Sequence, residues 1–258
     1  MAINNISAIT LLILFALSLK PDVNIIDDQD NFTYAGKAVI IIDDMGNQYK
    51  PCLPIIRSDY PVTLSILPDC PFSKKIAVEG HAAGHEIILH APMESWDNAS
   101  NLREAKSNML FLTTSMGPID LTREFEEMLT SVPHIIGISN HMGSKFTEDL
   151  LRMDLIMRIL KERKLCFVDS RTTNDSKGIL LAQEYNVASV ERGLFLDNSQ
   201  EYKATVDQIM KLINMAVEDG AVLGICHPYP TTIKALSDML PQFKANNIKV
   251  VPLSELLN

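Results

Sequence analysis

The feature that most constrains the fold is a regular alternation of short apolar runs with segments of helical periodicity. The runs are apolar on both faces, which is typical of parallel strands covered by helices. The predicted strands are residues 37–43, 62–68, 85–92, 135–141, 165–170, 187–191, 221–228 and 248–253. Helical patterns separate them, and residues 147–164 are predicted to form one such helix. Seven or eight alternations predict an α/β fold, a single distorted (β/α) barrel of seven to eight mostly parallel strands.

Length and composition agree with the predicted barrel, and the net charge argues against one class of binding partner. A chain of 258 residues is a normal length for one barrel domain. Hydrophobic residues make up 47% of the chain and charged residues 21%, which is enough to build a large core. The net charge of −9 argues against a nucleic-acid partner, because binding the phosphate backbone requires a basic surface.

The N-terminal segment has a different character from the rest of the chain. Residues 8–19 are almost all apolar, a run too short to span a bilayer comfortably but typical of a signal-peptide core. We therefore expect a signal peptide or short anchor at 1–19, a tether at 20–35, and the barrel domain at 36–258. This predicts an exported protein, periplasmic or envelope-associated, with a possible membrane tether. No Lys or Arg precedes the run, so a helix packed on the domain is the alternative.

Polar residues gather where the predicted strands end. Asp43 and Asp44 end one apolar run, and His90, His141 and His227 end three others. Because the carboxyl ends of barrel strands meet at one rim, we expect these side chains to lie close together. Taken singly, an Asp after a strand is more often a helix cap. Taken together, carboxylate and imidazole indicate a divalent metal site, with zinc the preferred ion, Asp44 a ligand and Asp43 a general base.

Six segments carry a resemblance to a known family. They are "AVIIIDDMG", "GHEIILHAPME", "GISNHMGSKFT", "FVDSRTT", "FLDN" and "LGICHPYPTT". Together they resemble the divergent polysaccharide deacetylases, a distant branch of the polysaccharide deacetylases, over about residues 37–257. The resemblance implies a deacetylase-like barrel. It also implies a metal-dependent hydrolase that removes acetyl groups from cell-envelope polysaccharide or amino sugars.

The resemblance also implies a metal-ligand set. Asp43 and Asp44 match the family's first motif, in which a base precedes a metal ligand. The second motif keeps one imidazole ligand, His90, but has Glu94 where a second histidine stands in ordinary deacetylases. Either Glu94 takes that place or His141 supplies the missing imidazole. We prefer His141, because it ends the next strand beside a glycine turn.

Further residues are assigned by the same resemblance. His227 matches the general acid. Asp169 and Arg171 match, more loosely, residues that orient the base and the acid. The candidate substrate-binding residues are Asn140, Ser144 and Glu94. For Asn140 and Ser144, the simpler interpretation is turn chemistry.

Two classes of function are compatible with this pattern. The first is the metal-dependent deacetylase. The second is a non-catalytic glycan-binding or envelope protein that retains the barrel and the metal pocket. Retention of Asp43, Asp44 and His227 favours the enzyme, because a protein that only binds needs no base and acid together.

Overall fold

The computed structural model describes residues 25–27, 32–97 and 110–257. The strands are β1 Ile25–Asp27, β2 Phe32–Tyr34, β3 Gly36–Met45, β4 Thr63–Ile66, β5 Glu86–Met93, β6 Ile135–Met142, β7 Cys166–Asp169, β8 Ser189–Glu191, β9 Leu194–Phe195, β10 Ala221–Cys226 and β11 Ile248–Val250. The helices are α1 Leu53–Ile56, α2 Ser73–Ala82, α3 Pro118–Ser131, α4 Ser144–Glu148, α5 Leu150–Arg163, α6 Gly178–Tyr185, α7 Tyr202–Asp219 and α8 Pro230–Ala245. Single 3-10 turns lie at Lys50–Cys52 and Leu253–Glu255.

One parallel sheet contains nearly all of these strands. Its order is β8-β7-β6-β5-β4-β3-β10-β9, with β11 added beside β3. Strands that are consecutive in sequence are therefore neighbours around most of the sheet, as in a (β/α) barrel. The two edge strands, β8 and β9, are joined only by Arg192 and Gly193, so the chain itself brings the two ends of the curled sheet together. The predicted distorted barrel is confirmed.

Alternation along the strands divides the core into two layers. Positions such as Ala38 and Ile40 on β3 face the large layer between sheet and helices. Val39 and Ile41 belong instead to a smaller inner cluster, together with Val168 of β7. This inner cluster fills the barrel with side chains from several strands. The next inward-facing residues of these strands therefore lie at the carboxyl-end rim.

Local departures from the sequence prediction have identifiable causes. The predicted helix at 147–164 is broken at Asp149, whose side chain caps α5 by accepting a hydrogen bond from the Arg152 backbone N–H at 3.0 Å.

Within the predicted tether, β1 and β2 pair as antiparallel strands. The predicted signal peptide or anchor at 1–19 lies outside the described residues. Among the helices that the structure describes, none has the length and apolarity needed to cross a membrane.

Candidate functional site

The inward-facing positions change character towards the carboxyl ends of the strands. Along β3 the inner apolar series continues from Ile41 to Asp43, and beyond β10 it continues from Ile225 to His227. On β5 it runs from Ile88 to His90. The barrel interior is therefore apolar below and polar at the rim, where these side chains converge.

The Asp43–Asp44 pair departs from ordinary strand geometry. Consecutive residues of a regular strand point to opposite faces, so only one of the two should reach the site. The pairing of β3 with β4 shifts register between Ile42 and Met45, and Asp44 has a left-handed backbone with φ 57°. As a result both carboxylates contact the same imidazole, with Asp43 Oδ1 3.5 Å from His90 Nδ1 and Asp44 Oδ1 3.2 Å from His90 Nε2.

Three donor atoms form a small triangle at the centre of the site. Asp44 Oδ1 lies 3.2 Å from His90 Nε2 and 2.8 Å from His141 Nδ1. The two ring nitrogens are 3.1 Å apart. Pairing of β5 with β6 sets this arrangement, because it places Pro92 beside His141 and so holds the ends of the two strands together. Asp44, His90 and His141 are thus brought together as the sequence predicts.

The triangle fits a divalent cation. Tetrahedral ligands held about 2.0–2.1 Å from one ion lie about 3.3–3.4 Å from each other, close to the observed separations. Asp44 Oδ1 and Asp43 Oδ1 are buried, and neither has a hydrogen-bond partner of good geometry among the described residues. Buried carboxylate oxygens without partners are costly unless a cation compensates them. The residues present therefore suit a metal held by one carboxylate and two imidazoles, with an open position for water and substrate.

Burial and nearby charges set the protonation of the two aspartates. Burial of the carboxylate raises the pKa of Asp43, and the neighbouring His90 only partly offsets this. Burial alone also raises the pKa of Asp44, but contacts with His141 and His90 outweigh it and hold that pKa below its usual value. A cation bound beside them favours the ionised form of both groups.

A buried carboxylate holds the remaining histidine of the rim. Asp197 Oδ1 lies 3.0 Å from His227 Nδ1, and Asp197 Oδ2 accepts the His227 backbone N–H at 2.7 Å and the Thr232 hydroxyl at 3.0 Å. The other ring nitrogen, His227 Nε2, faces the metal-binding triangle, 4.0 Å from Asp44 Oδ2. Burial alone lowers the pKa of His227, but the hydrogen bond and charge of Asp197 outweigh it, so this pKa is raised.

The carboxylate of Glu94, the alternative metal ligand, is bonded to residues outside the triangle. Its Oε1 pairs with Lys145 Nζ at 2.6 Å, and its Oε2 accepts hydrogen bonds from the Thr114 backbone N–H and hydroxyl at 2.7 and 2.6 Å. Burial alone raises the pKa of Glu94, but these contacts outweigh it and lower the pKa. The geometry therefore favours His141 over Glu94 as the third ligand.

The other predicted polar residues also make hydrogen bonds within the protein. Asn140 accepts the Ser170 backbone N–H at 2.9 Å and donates to the Met142 carbonyl at 2.7 Å. Ser144 Oγ accepts the Trp96 backbone N–H at 3.1 Å. These bonds shape the loops of the rim, in line with the turn chemistry expected of Asn140 and Ser144.

The two loosely matched residues, Asp169 and Arg171, make their side-chain contacts with the turn after β7 and with β8. Asp169 accepts hydrogen bonds from the Arg171 backbone N–H at 2.8 Å and the Ser176 hydroxyl at 2.7 Å, so it organises the turn after β7. The Arg171 guanidinium pairs with Glu191 at 2.9 Å. The carboxylate hydrogen-bonded to His227 is that of Asp197, a residue with no role assigned from the sequence.

Sequence reasoning missed Asp197 and two buried serines. Asp197 comes directly after the apolar residues Leu194–Leu196, as the other rim residues follow longer apolar runs, and it lies in the segment "FLDN". Ser139 accepts or donates a hydrogen bond at 2.7 Å to His90 Nδ1, and Ser65 bonds Ser139 at 2.9 Å. Ser139 thereby fixes the ring of His90 so that Nε2 faces Asp44.

Comparison with known proteins agrees with this fold and site. The family model of the divergent polysaccharide deacetylases matches residues 40–257. The uncharacterized protein YibQ of Escherichia coli strain K12 is 31% identical over 224 residues, which cover 87% of this chain and 68% of that protein. The crystal structure of the uncharacterized protein ATU2773 from Agrobacterium tumefaciens C58 has a TM-score of 0.79 at 19% identity, covering 86% of this chain and 89% of that one.

A more distant structure shares the fold. Wild-type BA3943 of Bacillus anthracis, a CE4 family pseudoenzyme, has a TM-score of 0.52 at 14% identity, covering 86% of this chain and 66% of that one. A curled parallel sheet whose rim holds paired aspartates and histidines defines a deacetylase-like (β/α) barrel. The chain belongs to the divergent polysaccharide deacetylase family.

Proposed function

We propose that the protein is a metal-dependent hydrolase that removes acetyl groups from cell-envelope polysaccharide or amino sugars. One observation carries the proposal. The three donor atoms of Asp44, His90 and His141 converge within 2.8–3.2 Å of one another, between a buried carboxylate, Asp43, and a carboxylate-supported imidazole, His227. The residues proposed as ligands, base and acid thus lie together at one rim of the barrel.

Asp44, His90 and His141 would hold the ion, and zinc is the metal that this donor set suits best. When bound, a divalent cation supplies Lewis acidity, which lowers the pKa of water and polarises an acyl oxygen. The chain's own contribution is to fix the ligands. Ser139 holds His90 by its Nδ1, and strand pairing holds His141 beside it.

Asp43 and His227 divide the proton transfers. Asp43 accepts the proton that the attacking water loses, because its carboxylate is buried beside the ligands and has an oxygen without a hydrogen-bond partner of good geometry among the described residues. His227 donates a proton from Nε2 to the departing amine or alkoxide. Its Nδ1 is held by Asp197, so the ring keeps Nε2 directed at the site.

Acetate release from a panel of acetylated glycans tests the proposal. We expect the zinc-loaded protein to release acetate, the chelated protein to be inactive, and zinc to restore the rate. The panel should contain N-acetylated and O-acetylated members, because the proposed acid, His227, can protonate either a departing amine or a departing alkoxide. Acetate release that persists unchanged after complete removal of metal would contradict metal dependence.

The support that Asp197 gives to His227 predicts a shift in the pH profile. Because Asp197 raises the pKa of His227, the acid stays protonated to higher pH. Asp197→Asn removes that charge, so the alkaline limb of kcat/KM should move to lower pH by about one unit. Asp169→Asn is the matched control, since Asp169 bonds the turn after β7, and its alkaline limb should stay in place. A shift of the limb in the control but not in Asp197→Asn would reverse the assignment.

The second functional class is a glycan-binding protein without turnover. The fold alone does not separate the two classes, because the BA3943 pseudoenzyme shares it. The proximity of a candidate base, Asp43, and a candidate acid, His227, to the triangle favours the enzyme. Binding of acetylated glycan without acetate release under any metal condition would favour the binding protein.

We also propose that the protein is exported and works in the periplasm or the envelope. The support is the apolar run at 8–19 and the glycan substrate class, which is found there. Cell fractionation tests this proposal. We expect the protein in periplasmic or membrane fractions, and full-length protein free in the cytosol would contradict export.

A further inference from the structure

Trp96 is an exposed aromatic residue for which the proposed acid–base chemistry has no role. Its side chain is 62% exposed, more than that of any other aromatic residue in the described part of the chain. It lies three residues beyond the carboxyl end of β5, on the same rim as the metal-binding triangle. An exposed indole offers a large, rigid apolar face that a ligand can cover.

The indole of Trp96 is held in one orientation. Its Nε1–H donates to Glu148 Oε2 at 3.0 Å, and Glu148 Oε1 in turn accepts the Thr173 hydroxyl at 2.7 Å. The backbone N–H of Trp96 donates to Ser144 Oγ at 3.1 Å. The ring is thus fixed by α4 on one edge while most of its surface faces solvent, which lowers the entropic cost of binding a ligand.

The position of Trp96 relative to the ligands is set by short chain segments. Ser144, which bonds the Trp96 backbone, lies three residues after His141. Three residues span at most about 10–11 Å, so the Trp96 backbone, which is hydrogen-bonded to Ser144, lies on the same rim within a few sugar lengths of His141. A polymer whose acetyl group lies at the triangle and whose chain extends along the rim towards Trp96 would reach the ring.

The surrounding charges favour an uncharged ligand. Lys145 Nζ lies 5.6 Å from the ring centroid, but it is paired with Glu94 at 2.6 Å. Glu148 is the acceptor for the indole N–H. A neutral pyranose matches this surface, because its C–H face packs on the electron-rich face of an aromatic ring while its hydroxyls bond nearby carboxylates.

We propose that Trp96 is a sugar-stacking subsite that binds a neutral pyranose ring of the glycan next to the acetylated residue in the site. The inference rests on the proposed function for the substrate class. It adds that the protein prefers oligomers to single sugars, because only an oligomer reaches both the metal-binding triangle and the indole.

Fluorescence gives a direct readout of this subsite. Trp96 is the single tryptophan of the 258-residue chain, so tryptophan emission reports this ring alone. We expect a saturable change in emission when the zinc-loaded protein is titrated with the tetramer of N-acetylglucosamine, and a much smaller change with the monomer. Tight binding of the tetramer by calorimetry without any change in emission would overturn the proposal.

Substitution of Trp96 tests how much the indole contributes to the affinity for the tetramer. Trp96→Ala should weaken tetramer binding by about tenfold in calorimetry, and Trp96→Phe should recover part of the loss. Ile119→Ala is the matched control, because Ile119 on α3 is 81% exposed, and its tetramer affinity should be unchanged. Equal affinities of wild type, Trp96→Ala and Ile119→Ala would overturn the subsite.

The binding readouts separate this proposal from the proposed function. Tetramer binding that changes the emission of Trp96 but yields no acetate supports the subsite and contradicts the hydrolase. Acetate release that is equally fast for wild type and Trp96→Ala on the tetramer supports the hydrolase and contradicts the subsite. Absence of both binding and turnover with the tetramer contradicts the subsite for N-acetylglucosamine chains.

Discussion

Asp44→Asn is expected to abolish tight binding of the divalent cation. The substitution keeps the shape of the side chain but replaces an anionic ligand with a neutral amide, while His90 and His141 stay in place. Loss of an outer-shell partner typically weakens metal affinity by 10–100-fold, and loss of a charged ligand should exceed about 100-fold. Competition with a chelator of known zinc affinity measures the change.

Glu94→Gln is the matched control for this substitution. It makes the same carboxylate-to-amide change at the other candidate ligand, where the structure shows a salt bridge to Lys145 and hydrogen bonds to Thr114. Zinc affinity should be unchanged. If Glu94→Gln loses zinc and Asp44→Asn keeps it, the ligand assignment is wrong.

Asp43→Asn is expected to have the opposite signature, with metal retained and turnover lost. The amide cannot accept a proton from water, and loss of a positioned general base typically lowers turnover by about 10²–10⁴-fold. Its zinc affinity should stay near that of the wild type, because the triangle of Asp44, His90 and His141 is intact. Acetate release per bound zinc, measured under saturating substrate, checks the prediction.

Folding must be controlled in that experiment, because Asp43 is buried. Burial chiefly, and repulsion from Asp44 to a smaller extent, raise the pKa of Asp43. Asn carries no charge and avoids both costs, so the metal-free variant should be at least as stable as the wild type. Thermal unfolding measures this. A variant that is folded and zinc-loaded and still has wild-type turnover would rule out Asp43 as the base.

The barrel and the metal-binding triangle could be predicted because both arise from simple periodicity. Apolar runs that alternate with helical patterns specify a parallel sheet, and the carboxyl ends of parallel strands must meet at one rim. Any Asp or His directly after such a run is therefore placed near the others. Asp44, His90 and His141 all stand in such positions, and the structure has their donor atoms within 3.2 Å.

Asp197 follows a short apolar run and lies in the segment "FLDN", but its role was missed because the run is too short to be identified as a strand. β9 has only two residues, Leu194–Phe195, so neither length nor alternation marks it as a strand. The register shift that turns both Asp43 and Asp44 to His90 is likewise absent from the sequence pattern, since it arises from how β3 pairs with β4. Such features depend on contacts between distant segments, which a local pattern does not encode.

The break between α4 and α5 illustrates a competing local effect. Helical periodicity continues through residues 147–164, and from that pattern one helix is expected. The side chain of Asp149 instead caps the backbone of α5, and the chain leaves helical geometry at that residue, with ψ 104°. Capping by Asp competes with helix continuation, and here it prevails.

The most direct test of the central claim is the mass of a glycan after it has been bound. The zinc-loaded protein and its Asp43→Asn variant are each incubated with acetylated oligomers that calorimetry shows to bind, and the oligomers are then analysed by mass spectrometry. We predict that wild type removes acetyl groups one at a time while the folded, zinc-loaded variant leaves the oligomer unchanged. Oligomers that bind wild type tightly yet keep every acetyl group would contradict the hydrolase and identify the protein as a glycan-binding barrel.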